Sequence, residues 1–358
     1  MNSPFDPVAF ARGPAMSNRI MLAPLTNMQS HADGVLSDEE HHWLTMRARG
    51  GFGLTMTCAA SVQSIGRGFP GQLGAHSDDH VDGLTRLARD IRATGSVAIV
   101  QLHHAGNRSP KDLIGSDPVC PSDDPSTGAR ALSTEEVEHL TDDFVAAAER
   151  CHRAGFDGIE LHGAHGYMIC QFLSSELNRR DDQYGGSLEN RSRLLFDIID
   201  GIRARCGSDF HIGVRLSPER FGMVIDEIRA VFERLVDGGD VDMIDMSLWD
   251  CFAHPKDPAH AEQRLIDVFS AIPRGSVRLA VAGKLYGGDD ITRAIDAGAD
   301  IVALGRAAIL HHDFPRLLEV DPHVTMRAVP VSADVLRAEG LSDGFVGYMR
   351  SWPGFVAD

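Results

Sequence analysis

The chain has 358 residues, with 34 Lys and Arg against 51 Asp and Glu, a formal charge of −17 at neutral pH. That acidic balance disfavours nucleic acid and anionic membrane as partners, and the length suffices to bury a large core without disulfides or a structural metal. The six cysteines (58, 120, 151, 170, 206 and 251) form no Cys-x-x-Cys pair of the kind iron–sulfur and zinc sites use. No apolar leader and no run of membrane-spanning length is present, so a reduced, soluble, cytoplasmic protein is expected.

After a lead of residues 1–19, eight short β-branched or apolar runs are predicted as strands: Ile20–Thr26, Gly53–Ser61, Val97–His104, Gly158–Ala164, His211–Ser217, Met243–Leu248, Val277–Gly283 and Asp300–Arg306. Amphipathic stretches separate most of them, among them Ser37–Arg49, Asp78–Thr94, Thr134–Ala154, Leu188–Cys206 and Asp289–Ala297. Val137, Leu140, Phe144, Val145 and Ala148 make an apolar helical stripe, and Ser133-Thr134-Glu135-Glu136 carries a capping-box signature. Glycines such as Gly155 and Gly298 end helices just before the next strand. Eight βα repeats without a compositional break predict one α/β domain over 1–358, a single (β/α)8 TIM barrel. A Pro/Ser/Asp/Gly-rich loop at 107–131 follows the third strand on the face where such barrels do chemistry, and its length suits a lid. The tail, 321–358, has no readable pattern.

Candidate functional residues cluster at the carboxyl ends of the strands. Ala23-Pro24-Leu25-Thr26 closes the first; taken alone, Thr26 is a strand-capping hydroxyl. Small residues around Ala59 let a flat ring approach the backbone, or simply pack the barrel. Gln101 can offer both donor and acceptor at the barrel mouth, whereas His104 reads as structural. The fourth strand ends in His162, His165 and Tyr167 within six residues. A His-x-x-His pair is also a metal motif, but Gly163 and Gly166 weaken a helix there and no carboxylate stands at a ligand offset. Glu160 alternates inward with His162 and needs a buried partner; Arg215 points inward from the fifth strand, where it can pair with Glu160 and also present a cation to a bound ligand. Gly283, Gly305 and Arg306, after the seventh and eighth strands, suit a phosphate held by backbone amides and a guanidinium. No Gly-x-Gly-x-x-Gly follows a strand, so a Rossmann dinucleotide site is not expected.

The run HGAHGY…QFLS…N.R.D.YGGS.ENR, with Gln-Leu-x-His-Ala-Gly after the third strand, closely resembles the old yellow enzyme family of FMN-dependent ene-reductases. The resemblance extends from about Met21 to about Pro315. It implies FMN as cofactor, held by Ala23, Pro24, Leu25, Thr26, Ala59, Gln101, Arg215, Gly283, Gly305 and Arg306, and NADH or NADPH as the reductant that stacks in the substrate pocket. It implies that residues 1–19 cap the barrel bottom. It also implies reduction of the activated C=C bond of an α,β-unsaturated carbonyl compound: His162 and His165 bind the substrate oxygen, FMN N5 supplies hydride and Tyr167 delivers the proton. One branch of the family carries Cys and Tyr where this chain has Thr26 and Met28, which puts Met28 among the substrate contacts. Asn107 replaces the Arg that commonly follows the glycine of the third-strand motif. Three rival readings stay open: the same fold run oxidatively as a dehydrogenase or demethylase, a metal-dependent barrel hydrolase using the His pair, and a flavin binder without catalysis. Natural substrate, choice of nicotinamide and homo-oligomeric state are not legible.

Overall fold

A computed structural model describes residues 3–357; Met1 and Asn2 of the lead and Asp358 of the tail lie outside the described residues. Eight parallel strands close into a barrel: β1 Ile20–Leu22, β2 Leu54–Ser61, β3 Val97–His103, β4 Gly158–Gly163, β5 His211–Leu216, β6 Met243–Ser247, β7 Arg278–Ala282 and β8 Ile301–Leu304. Each pairs with its chain neighbours, and β8 closes the ring on β1. The strands read as apolar runs because barrel strands are covered on both faces; all seven residues of β3 are buried. Helices wrap the outside. Thr134–Arg153 starts where expected: Ser133 Oγ accepts from Glu136 N–H at 3.1 Å, and Glu136 Oε2 accepts from Ser133 N–H at 2.8 Å.

Several strands end earlier than their apolar patterns. β1 stops at Leu22 and leaves Ala23–Thr26 irregular, and Arg306 opens a short helix, Arg306–Leu310, where the last strand was expected to run on. In β2 the register jumps from Met56 opposite Ile99 to Ala59 opposite Gln101, a bulge that bends the strand end toward the barrel mouth.

The two ends of the barrel are built differently. At the bottom, Val8 and Met16 exchange backbone hydrogen bonds and are buried in one cluster with Met21, Leu54, Met56, Val97, Ile99, Met243, Ala280 and Ile301. At the top, the 107–131 segment is ordered: a helical turn at Lys111–Ile114 and paired strands Val119–Cys120 and Arg130–Ala131. The polar run after β4 anchors it, since Arg179 N–H donates to Ser122 Oγ at 2.9 Å and Arg180 Nη1 to Pro121 O at 3.0 Å. Asn178 ties Phe172 O and Tyr184 O at 2.8 and 2.7 Å. Much of that motif is therefore loop architecture. Among the described residues no helix is long and apolar enough to cross a membrane.

Candidate active site

A cavity of about 670 Å3 opens at the C-terminal mouth of the barrel, within the roughly 300–1,000 Å3 of small-molecule sites. Pro24, Leu25, Thr26, Ala59, Gln101, His162, His165, Tyr167, Arg215 and Gly283 all contribute to its wall. Period-two alternation aims the strand residues: Gln101 lies opposite Glu160 and Arg215 opposite both His162 and Asp245, so polar side chains form layers inside the barrel.

The floor is a buried charged layer. Arg215 Nε stands 3.0 Å from Asp245 Oδ2, and Glu160 Oε1 accepts from Gln101 Nε2 at 2.7 Å. The ion-pair partner of Arg215 is thus Asp245, not Glu160, which was one of its two readings from sequence, because the neighbouring strand places Asp245 directly across from it. The pair is close but not aligned as a hydrogen bond, and Glu160 Oε2, Arg215 Nε and both Asp245 carboxylate oxygens bond to no protein atom. Burial, followed by the nearby Asp245, pushes the Glu160 carboxyl above its usual range, against the opposing pull of Arg215 and Gln101. One guanidinium shared by two buried carboxyls favours the protonated form of a carboxyl in this layer.

Above it, His162, His165 and Tyr167 meet edge to face. The His162 ring centroid is 5.0 Å from those of both His165 and Tyr167. Ala164 N–H donates to His162 Nδ1 at 3.3 Å, which leaves Nε2 to carry the proton of the neutral ring. His165 Nε2 lies 2.7 Å from Ser247 Oγ. Burial is the main cause holding both imidazoles well below the ordinary histidine range; His165 adds to it for His162, and Arg215 for His165. The pair is neutral at physiological pH. Among the described residues no three His, Cys, Asp or Glu side chains gather as a metal site.

Other sequence candidates sit at the margin. Ala23 is buried below the cavity, its N–H bonded to Leu304 O at 3.1 Å. Gly305 and Arg306 lie beside the wall, not in it; Arg306 Nη1 donates to Tyr286 Oη at 2.9 Å and its guanidinium is 5.5 Å from the cavity-lining Trp352 ring. A Cβ on Gly283 would come within 3.0 Å of the backbone at residues 249–251, so that glycine answers to the neighbouring loop. A Cβ on Gly305 would meet only Leu25 Cδ2, at 3.5 Å, so nothing in the protein fills that side of the backbone. Met28 does not reach the cavity wall: its backbone turns left-handed, φ 55°, and its carbonyl lies against Gly71.

Sequence reading missed much of the rim. His103 was legible, since it shares the inward face of β3 with Gln101; its ring lies 4.4 Å from Tyr167 and Gln72 Nε2 donates to its Nδ1 at 3.0 Å. Asn107 stands where the family commonly has Arg, and the next residue, Arg108, lines the cavity with its guanidinium 4.6 Å from the Tyr167 ring centroid. Arg220, Phe221, Trp249, Tyr348 and Trp352 come from loops and the tail. No local pattern announces residues that approach only when the barrel closes.

Residues 4–321 match the NADH:flavin oxidoreductase / NADH oxidase family. The chain belongs to that family. It is 35% identical over 334 residues to a probable NADH-dependent flavin oxidoreductase, YqiG, of Bacillus subtilis, covering 90% of this chain and 87% of that one. It is 34% identical to the NADH:fumarate oxidoreductase of Klebsiella pneumoniae, covering 86% of this chain but 35% of that longer protein. In structure it resembles the old yellow enzyme homologue of Zymomonas mobilis, with a TM-score of 0.81, 28% identity and coverage of 96% and 99% of the two chains. The protein is an FMN-dependent oxidoreductase of the old yellow enzyme family that draws electrons from NADH or NADPH. The residues present fit that cofactor: Gly305, whose backbone has an open side, and the exposed Arg306 lie beside the cavity wall, and the buried layer of Glu160, Arg215 and Asp245 holds polar atoms without protein partners.

Proposed function

We propose that the protein reduces the activated C=C bond of α,β-unsaturated carbonyl compounds with NAD(P)H. Two neutral imidazoles and a phenol converging on one cavity carry this reading. Thr26, Ala59, Gln101 and Arg215 would hold the flavin ring, and Gly305 with Arg306 its phosphate. When bound, FMN supplies the hydride that reaches the β-carbon. His162 donates from Nε2, and His165 joins it once its bond to Ser247 is exchanged for the substrate oxygen. Negative charge building on that oxygen strengthens both bonds, since charge-assisted hydrogen bonds are roughly twice as strong as neutral ones. Tyr167 stands over the His162 ring and gives its hydroxyl proton to the α-carbon, so one hydride and one proton add across the double bond. Gln101 can serve the ring as donor or acceptor because Glu160, when protonated, can donate to its amide oxygen and release its NH2.

The test is anaerobic reduction of the holoprotein by NAD(P)H, then reoxidation by cyclohexenone, alongside titration of the oxidised form with a para-substituted phenol. Reoxidation and a long-wavelength phenolate band, both lost in the His162→Ala/His165→Ala protein, are expected. A reduced flavin that ignores enones, or phenol binding that survives the double substitution, removes this reading.

A further inference from the structure

Two arginines at the cavity mouth lack the partners their neighbours have. Arg215 pairs with Asp245 at 3.0 Å, and Lys284 with Asp250 at 3.0 Å. Arg108 and Arg220 also line the cavity, yet among the described residues neither has a carboxylate within 4.0 Å. Both guanidiniums are seated on aromatic faces instead. Arg108 lies 4.6 Å from the Tyr167 ring centroid and donates from Nη1 to His165 O at 2.5 Å. Arg220 lies 4.4 Å from the Trp249 ring, which itself stands 5.8 Å from His165.

The backbone beneath them is strained. His165, Arg220, Phe221 and Trp249 all adopt left-handed φ, between 55° and 70°, although none is glycine. Such conformations are costly for residues with a Cβ and gather at active sites and ligand clamps. Arg220 opens a tight turn closed by Met223 N–H to Arg220 O at 2.9 Å. The turn is wedged in place: a Cβ on Gly222 would collide with Ser174 Oγ, and one on Gly166 with the Phe221 ring. Seating on an aromatic ring leaves the donors of Arg220, and those of Arg108 other than the Nη1 bond to His165 O, available, and a planar fork of donors matches a carboxylate or phosphate.

We propose that Arg108 and Arg220 form an anion-binding rim, which grips a carboxylate or phosphate on the molecule whose reacting end lies at His162 and His165. The proposal rests on the substrate site described above and specifies its ligand class. The anion has two sources, an acid group on the acceptor or the diphosphate of the nicotinamide cosubstrate, and the two are separable.

The experiment compares wild-type holoprotein with Arg108→Met, Arg220→Met and the double variant, using matched anionic and neutral ligands. For the acceptor side, 3-(4-hydroxyphenyl)propanoate and its amide are titrated against the oxidised flavin spectrum. For the cosubstrate side, flavin reduction is followed with NADH and with reduced nicotinamide riboside, which lacks phosphate. The anionic-to-neutral ratio of affinities should fall about tenfold or more in the double variant, the size of a lost charge-assisted bond. It should recover in part in Arg108→Lys/Arg220→Lys. Whichever pair shows the fall identifies the anion's source. In unmodified protein, rising ionic strength should weaken the anionic member of that pair more than the neutral one, a readout independent of variant folding. Ratios unchanged in both pairs, with no differential salt effect, overturn the rim. Failure of the neutral phenol amide to bind wild-type protein counts instead against the His-pair reading, and the nicotinamide pair still judges the rim.

Discussion

The two mouths of this barrel obey opposite rules. The bottom is sealed by the lead segment, with Val8 and Met16 buried among methionine, leucine, isoleucine and valine side chains. The top gathers imidazoles, guanidiniums and carboxyls and concentrates left-handed residues around an open cavity. One end lowers the free energy of the fold; the other spends stability on a site. Burial of apolar surface stabilises without regard to direction, whereas a site needs groups held where the protein alone would not choose them.

Substitutions at the two ends should therefore fail in different ways. Tyr167→Phe keeps the ring that packs on His103 and His162 and removes only the acid. Reoxidation by an enone should slow by about 10²–10⁴-fold, the usual contribution of a placed general acid, while stopped-flow reduction by NAD(P)H stays near the wild-type rate. Equal slowing of both half-reactions would make Tyr167 a positioning residue. At the bottom, Met16→Ala should lower unfolding free energy by about 2–5 kcal/mol, as core truncations do, with turnover per folded, flavin-loaded molecule unchanged. A variant that instead melts normally but loses activity would erase the contrast between the ends.

Arg306→Ala should raise the FMN dissociation constant about tenfold, the lower end for a charge-assisted bond because this guanidinium is exposed. Equilibrium dialysis of the holoprotein measures it, and the flavin's potential should hardly move. The smallest effect belongs to Glu160→Gln. Because the folded state raises this carboxyl's affinity for its proton, the unfolded chain loses that proton first as pH rises past the ordinary carboxyl range. Wild-type stability contributed by this group is present at low pH and declines upward until the folded carboxyl itself ionises. The Gln variant lacks that decline, so its melting temperature relative to wild type should climb with pH. A gap that narrows with pH would mean Glu160 is ionised in the fold.

Much of the barrel was legible. Every predicted strand overlaps an observed one, because parallel strands covered on both faces must be apolar runs, and β4 carried His162 to the rim by simple alternation. Strand ends were read too long at Thr26 and Arg306, since the rim residues leave the ladder where the cavity begins. The tail looked featureless, yet Tyr348 and Trp352 fold back onto the cavity. Met28 was assigned by position relative to Thr26; its backbone is left-handed, and it is not among the residues that line the cavity.

From the sequence alone came the closed βα repeat, which rests on short-range periodicity, and the family with its flavin, which rest on the resemblance carried by the motif after the fourth strand. Only the tertiary structure chose Asp245 over Glu160 as the partner of Arg215, placed Arg108 over Tyr167 and Arg220 over Trp249, and brought the tail to the mouth. Periodicity fixes which way a side chain points from its own strand. Which side chain it meets depends on barrel closure and register, and those are set by contacts between residues far apart in the chain.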